Sequence, residues 1–259
     1  MQDLTVTLVQ TQLAWEDIDA NLELLTNRVD GIKAPTDLVI LPEMFSTGFS
    51  MRVRALAEEM TGKAVAWMRA KAVEKNAVIT GSVMVADGGR YFNRLVWARP
   101  QGEPVTYDKR HLFRYAGEEK VFTPGERRLT MEIKGWRIRP FICYDLRFPI
   151  WTRNLNLAYD LAVFVANWPA RRAAHWRALL RARAIENQSF VAAVNRVGTD
   201  GNGFEYSGHS VLIDPAGRVL CEEENTVCTR TLQLKHKTLA DYRSRFPAWM
   251  DADDDMVKG

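Results

Sequence analysis

Arg137-Ile138-Arg139-Pro140-Phe141-Ile142-Cys143-Tyr144-Asp145-Leu146-Arg147-Phe148-Pro149 predicts a short, mostly apolar strand. It runs into a cysteine and then breaks into a charged turn. Pro149 fixes the start of a helix. A thiol at the C-terminal end of a buried strand sits where open α/β sheets place their ligands. The bland alternative is a buried cysteine filling core volume, the commoner fate of a free thiol. The stretch alone leaves both readings open, because a lone cysteine is only a candidate nucleophile.

Composition narrows the setting. The chain has 259 residues, 47% of them apolar and 26% charged, as in a soluble globular α/β protein with a large core. A formal charge of +3 gives no reason to expect nucleic acid or a membrane as partner. Met1-Gln2-Asp3-Leu4 has neither a basic nor an apolar leader region, and no apolar run reaches membrane-spanning length. Three cysteines, Cys143, Cys221 and Cys228, lack CxxC spacing and point to a reducing, cytoplasmic compartment. The acidic run Asp251 to Asp255 reads as a solvated terminus.

Working outward, Leu4 to Gln10 alternates as a strand should, and a helix from Asp17 carries the stripe Ile18, Leu22, Leu25, Val29, Ile32. Asp37-Leu38-Val39-Ile40-Leu41 predicts a central strand that ends at Pro42-Glu43. Thr61 to Asn76 predicts a helix with Val65, Met68, Ala72 and Val73 inward. Three closely spaced strands follow, Ala77 to Val85, Tyr91 to Ala98 and Val105 to Lys109, then a long polar loop from Arg110 to Arg128. Beyond the opening stretch come a helix from Pro149 to about Leu157 and a buried strand from Tyr159 to Val165. A helix from Ala173 to Asn187, with Trp176, Leu179, Leu180 and Ile185 inward, leads into a strand from Phe190 to Val194. Gly198 to Gly208 reads as a Gly-rich loop, before a hairpin around Asp214-Pro215-Ala216-Gly217, a strand from Thr226 to Leu234 and a last helix to Phe246. Helices at both ends with hairpins between them predict mixed sheets. No linker or repeat is visible, so one domain is expected over 1–259.

His111, His175, His209 and His236 show no metal-ligand spacing and read as satisfied polar residues. Gly201-Asn202-Gly203 begins a GxG, but Tyr206 stands where the third glycine belongs. No phosphate loop and no GxSxG elbow is present. What remains is Glu43, Lys109 and Cys143, each at the end of a strand. If those strands are neighbours, a glutamate can serve as proton acceptor for the thiol, and a lysine can favour the thiolate and hold an oxyanion. Taken singly, each residue has a bland reading, as a loop acid, a solvated strand-end charge or a core thiol.

At these residues the chain resembles the nitrilase superfamily of carbon–nitrogen hydrolases. Leu41-Pro42-Glu43, Asp108-Lys109-Arg110-His111-Leu112-Phe113 and Cys143-Tyr144-Asp145-Leu146-Arg147-Phe148-Pro149 are similar to its three catalytic motifs, in order. Asn167-Trp168-Pro169, Ala182 to Gln188 and Asn195-Arg196-Val197-Gly198 extend the likeness over nearly the whole chain. Pro42 to Phe49, Tyr107 to Arg114 and Phe246-Pro247-Ala248-Trp249 resemble the bacterial omega-amidase branch. That resemblance implies an α/β fold, a four-layer α-β-β-α sandwich of two mixed β-sheets forming a single carbon–nitrogen hydrolase domain. It further implies a homodimer, with a tail from about 240 joining the interface, and no cofactor or metal. The substrate class implied is a small amide, 2-oxoglutaramate or 2-oxosuccinamate. Sister enzymes that act on other amides, such as deaminated glutathione, or on carbamoyl groups are the nearest alternative. A catalytically silent binding module is the alternative from another class.

The resemblance also implies roles. Cys143 is the nucleophile, Glu43 the base, and Lys109 with the backbone N–H of Tyr144 the oxyanion hole. The family's further acid falls on Glu118, seven residues before Gly125, with Glu119 beside it. A carboxylate at the far end of the substrate calls for an arginine fork, and Arg147, Arg171 and Arg172 are the candidates. The alternative for Arg147 is a structural ion pair. Phe45 and Trp168 are expected to wall the pocket. Pro140 lacks an N–H, so its strand is expected to bulge or to lie at an edge there.

Overall fold

Apolar residues alternate in strands such as Leu4–Gln10 and run unbroken through the buried central ones, such as Leu161–Ala166, so both faces of each sheet must be covered. The computed structural model describes residues 2–253. One sheet contains β1 (Leu4–Gln10), β2 (Leu38–Ile40), β3 (Val78–Asp87), β4 (Arg90–Ala98), β5 (Val105–Asp108) and β13 (Cys228–Leu234), in the order β13-β1-β2-β3-β4-β5. The other runs β10-β11-β9-β8-β7-β6, with β12 paired to β11. Its strands are β6 (Met131–Ile133), β7 (Trp136–Ile142), β8 (Leu161–Ala166), β9 (Phe190–Asn195), β10 (Val197–Thr199), β11 (Glu205–Ile213) and β12 (Val219–Glu224). In each sheet three parallel strands, β1-β2-β3 and β7-β8-β9, are flanked by antiparallel ones. Both sheets are therefore mixed, as the alternation of helices and hairpins predicts.

Leu4, Val6 and Leu8 of β1 and Trp97 of β4 share a core cluster with Ile138, Phe141 and Val163 of the second sheet, so the sheets pack face to face. The other face of the first sheet, with Val39, Ile79 and Val96, is covered by α1 (Ile18–Asp30) and α3 (Lys63–Lys75). Trp176, Leu180 and Ala184 of α5 (Ala173–Asn187) cover the second sheet. The result is the expected α-β-β-α sandwich. Short helices α2 (Val53–Leu56) and α4 (Pro149–Thr152) lie in connecting segments, and α6 (His236–Arg245) is anchored by Arg243 to Asp160 at 2.7 Å.

Four expectations change. Val73 is exposed, because the inner face of α3 runs through Val65, Met68 and Ala72. Lys71 packs there instead, its ammonium on Asp30 at 2.5 Å and Glu74 at 2.8 Å. Ile185 likewise faces outward, and Arg183, Ala184 and Asn187 occupy the buried face of α5. Pro149 opens only one helical turn, to Thr152, before a separate 3₁₀ turn at Leu155–Leu157. The Gly-rich segment from 198 is largely a hairpin, with Val197 opposite Ser207 and Thr199 opposite Glu205. Pro140 fits the edge expectation locally. The β6 ladder ends at Ile138, so that flank of β7 has no partner where the proline falls. Asp251 and Asp253 are exposed, while Asp254 and Asp255 lie outside the described residues.

Candidate active site

The C-terminal ends of β2, β5 and β7 meet at one edge of the sandwich, and each delivers one side chain. Glu43 follows β2, Lys109 follows β5 and Cys143 follows β7. The turns are tight. Met44 and Cys143 both adopt left-handed backbone, with φ of 41° and 43°, a conformation that costs an L residue about 1–3 kcal/mol. Around Cys143 the compensation is visible. Asp145 is fully buried and accepts from Ile142 N at 3.0 Å, Tyr107 Oη at 2.6 Å and His111 N at 3.0 Å, with His111 Nδ1 at 2.8 Å. Arg183 of α5 donates to the carbonyl of Leu146 at 2.7 Å. The turn that carries Cys143 is thus tied to β5, to the loop after Lys109 and to α5.

Lys109 Nζ lies 2.8 Å from Glu43 Oε1 and 3.0 and 2.9 Å from the two carboxylate oxygens of Glu118. Asn93 Nδ2 donates to Glu43 Oε1 at 2.8 Å and to Glu118 Oε1 at 3.1 Å. The second oxygen of Glu43 takes the backbone N–H of Asn167 at 2.8 Å, and that of Glu118 takes Phe113 N at 2.5 Å. Glu118, not its neighbour Glu119, is therefore the acid turned into the site. It is held by a 3₁₀ turn, Glu118–Lys120. Gly125 allows the loop to close, since its N–H reaches the Lys109 carbonyl at 2.8 Å and a Cβ there would fall 2.1 Å from the Asp108 carbonyl.

Two carboxylates and one ammonium in a dry site leave net negative charge beside the thiol. Burial, then the Glu43 charge, push the Cys143 thiol well above its ordinary pKa, and Lys109 only partly offsets them. Burial alone lowers the Lys109 ammonium, but the charges of Glu118 and Glu43 outweigh it and raise the pKa. Burial also raises the Glu118 carboxyl against the pull of Lys109. The resting site is thus a protonated thiol facing an acceptor, with a fixed cation beside both. Such a set can abstract a proton, form a covalent bond through sulfur and stabilise a developing oxyanion.

Cys143, Lys109, Tyr144 and Asn167 open onto a cleft of about 590 Å³. Arg147, Arg171, Arg172 and Trp168 line it, as expected from the sequence. Phe45 does not. It is fully buried in the helix-side core against Trp67, at a ring distance of 5.9 Å, in space that Gly81 leaves open. Phe49 takes the place expected of it, lining the cleft with Lys109 Nζ 5.3 Å from its ring centre. None of the three arginines has an ion-pair partner among the described residues. Arg147 stacks on Trp168 at 4.8 Å and meets His175 Nδ1 at 3.1 Å, and Arg171 and Arg172 stack on aromatic rings. Burial, with the charges of Arg171 and Arg147, depresses the Arg172 guanidinium.

Asn93, Asp145, Asn167 and Phe49 were not singled out from the sequence. Asp145 and Asn167 lay inside motifs quoted for the family resemblance, and Asn93 stood beside Arg94 as a polar pair inside the strand Phe92 to Ala98.

The fold and this edge-of-sheet constellation fit a hydrolase of amide-type bonds, and comparison with known proteins identifies the family. The carbon–nitrogen hydrolase family model matches residues 5–242, and the chain belongs to that family. It is 48% identical over 257 residues to omega-amidase YafV of Escherichia coli strain K12, covering 98% of both chains. It is 32% identical to the 2-oxoglutaramate amidase of Bacillus subtilis strain 168, covering 97% of this chain and 98% of the relative. Among solved structures, a carbon–nitrogen hydrolase superfamily protein of Xanthomonas campestris, with an arsenic adduct in its active site, superposes with a TM-score of 0.96. It shares 46% identity and 98% coverage of both chains.

Proposed function

We propose that this chain is an omega-amidase, a single-domain enzyme that hydrolyses the terminal amide of 2-oxoglutaramate or 2-oxosuccinamate to the 2-oxo acid and ammonia. The observation that carries the reading is the meeting of Glu43, Lys109 and Glu118 at Cys143, beneath a wall of unpaired arginines. The similarity to omega-amidase and 2-oxoglutaramate amidase supports the substrate class. In this reading Glu43 Oε2, which has one backbone donor where Oε1 has two side-chain donors, takes the thiol proton. Cys143 sulfur attacks the amide carbon. Lys109 and the N–H of Tyr144, which lies at the start of the 3₁₀ turn from Cys143 to Arg147 where N–H groups have no intrahelical acceptor, hold the oxyanion. Glu43 delivers its proton to the leaving ammonia, then activates water to cleave the thioester. Glu118 keeps Lys109 in place.

Arg147, Arg171 and Arg172 are proposed to receive the substrate carboxylate. An anion there would offset the burial and the neighbouring positive charges that together depress Arg172. Ammonia release from 2-oxoglutaramate, glutamine, a simple nitrile and a carbamoyl amino acid tests the reading. Fastest turnover of the keto-amide supports it, and preference for any other member overturns it. The cleft is larger than a small keto-acid amide fills, so a longer amide belongs in the same panel.

A homodimer and a reducing, cytoplasmic setting complete the proposal. Ile185 and Leu220, together with Phe246 and Met250 of the tail, leave large apolar side chains exposed, and all three cysteines are free. Light scattering of Ile185→Glu and Met250→Glu tests the assembly. No helix among the described residues is long and apolar enough to cross a membrane.

A further inference from the structure

Asn93 sits in β4 with no exposed surface and is not part of the cleft wall. Its Nδ2 and Lys109 Nζ contact the same two oxygens. Glu43 Oε1 is 2.8 Å from each nitrogen, and Glu118 Oε1 is 3.1 Å from Nδ2 and 3.0 Å from Nζ. Two nitrogens and two carboxylate oxygens therefore alternate around a closed ring. The backbone fixes the ring, because Lys109 N donates to the Asn93 carbonyl at 3.0 Å where β5 ends beside β4. The amide cannot be turned over without pointing its own oxygen at two carboxylates. Its Oδ1 stays buried with no hydrogen-bond partner among the described residues, a cost accepted to present the NH₂.

Carboxylates this close share a proton unless each has enough donors. Glu43 accepts from Lys109, Asn93 and Asn167, and Glu118 from Lys109, Asn93 and Phe113. The titratable groups facing the pair are Lys109 from the end of β5 and Cys143 from the end of β7. Lys109 brings one positive charge for two negative ones, so the amide is the other donor common to both.

We infer that Asn93 is a positioning residue which, with Lys109, holds Glu43 and Glu118 side by side without a proton between them, so that Glu43 is free to take the thiol proton at neutral pH. This rests on Glu43 being the base. Removing the NH₂ raises the apparent pKa of the carboxylate pair, so the acid limb of kcat/KM must move to higher pH.

The test is the pH profile of kcat/KM for the best amide of the panel, measured on wild type, Asn93→Leu, Asn93→Ser and Glu43→Gln. Asn93→Leu is expected to lose about tenfold or more near neutral pH, the loss narrowing as pH rises. Asn93→Ser, whose hydroxyl donates to only one oxygen at a time, is expected to shift less in the same direction, and it is the variant read if Asn93→Leu does not fold. A loss by one factor at every pH, with the limb unmoved, assigns Asn93 a structural role only and overturns the inference. Glu43→Gln separates the two levels. If it retains wild-type turnover, the assignment of the base falls and this inference with it. If it is inactive while the Asn93 limb stays put, only the inference falls.

Discussion

The floor and the wall of the cleft are built on opposite terms. On the floor, Glu43, Lys109 and Glu118 are fully buried and each charged group has three or more bonding contacts inside the protein. On the wall, Arg147, Arg171 and Arg172 are half-buried or exposed and stack on aromatic faces without a carboxylate. The floor is organised before any substrate arrives, which suits groups that must act on a developing charge without rearranging. The wall keeps its cations unspent, which suits recognition of an anion that brings its own charge. In the proposed reading, chemistry and selection are separated by how completely the charges of each region are satisfied.

Cys143→Ala is the severest test of that separation. Turnover should fall by about 10⁴-fold or more, while the 2-oxo acid product still binds at the wall. Loss of product binding would show that floor and wall are one unit. Lys109→Met should follow, with kcat reduced by about 10²–10³-fold. The same change should lower stability by about 3–5 kcal/mol, read by urea denaturation, because two buried carboxylates lose their cation. Next, Arg172→Ala should lower kcat/KM for the keto-amide by about 10–100-fold. It should leave a neutral amide nearly unchanged, and an equal loss on both substrates would remove the wall's role. The smallest effect concerns the resting thiol. Iodoacetamide should alkylate Cys143 with a pH midpoint above that of an ordinary thiol, since burial and Glu43 both disfavour the thiolate. Lys109→Met should raise the midpoint further, because the one cation opposing that trend is gone.

The aromatic pair Phe45 and Phe49 shows how position in space divides residues that look alike in sequence. Four positions apart in one Gly-containing loop, one fills the helix-side core and the other lines the cleft. The left-handed backbone at Gly48 turns the chain between them. Phe45→Ala should cost about 3–5 kcal/mol in stability. Phe49→Ala should act on KM and kcat with little loss of stability, which steady-state kinetics and a thermal melt would separate.

Much of the architecture was legible in local pattern. Leu4, Val6 and Leu8 alternate because β1 has two different faces, and Leu38 to Ile40 is wholly apolar because β2 lies between neighbours with both faces covered. The helix ending at Asn187 was read to the residue, but its inner face was misjudged at Ile185. A hydrophobic residue beyond the stripe carries no mark of which side it faces. The hairpin of β10 and β11 was hidden because glycine and polar residues dominate its three-residue paired segments, Val197 to Thr199 and Glu205 to Ser207.

The three strand-end residues Glu43, Lys109 and Cys143 were visible in sequence because strand ends are local features, and their motif order carried the family. Their meeting was not visible, since it depends on which strands are neighbours and which sheet faces which. The choice of Glu118 over Glu119, the ring closed by Asn93 and the anchoring of Cys143 through Asp145 were likewise decided only by tertiary structure. Each depends on distances between segments from 5 to 66 residues apart in the chain. The sequence by itself determined the elements and the chemically capable side chains. Long-range packing decided which of them share a hydrogen-bond donor, a charge and a cleft, because electrostatic coupling follows distance and burial, and neither is written in the order of residues.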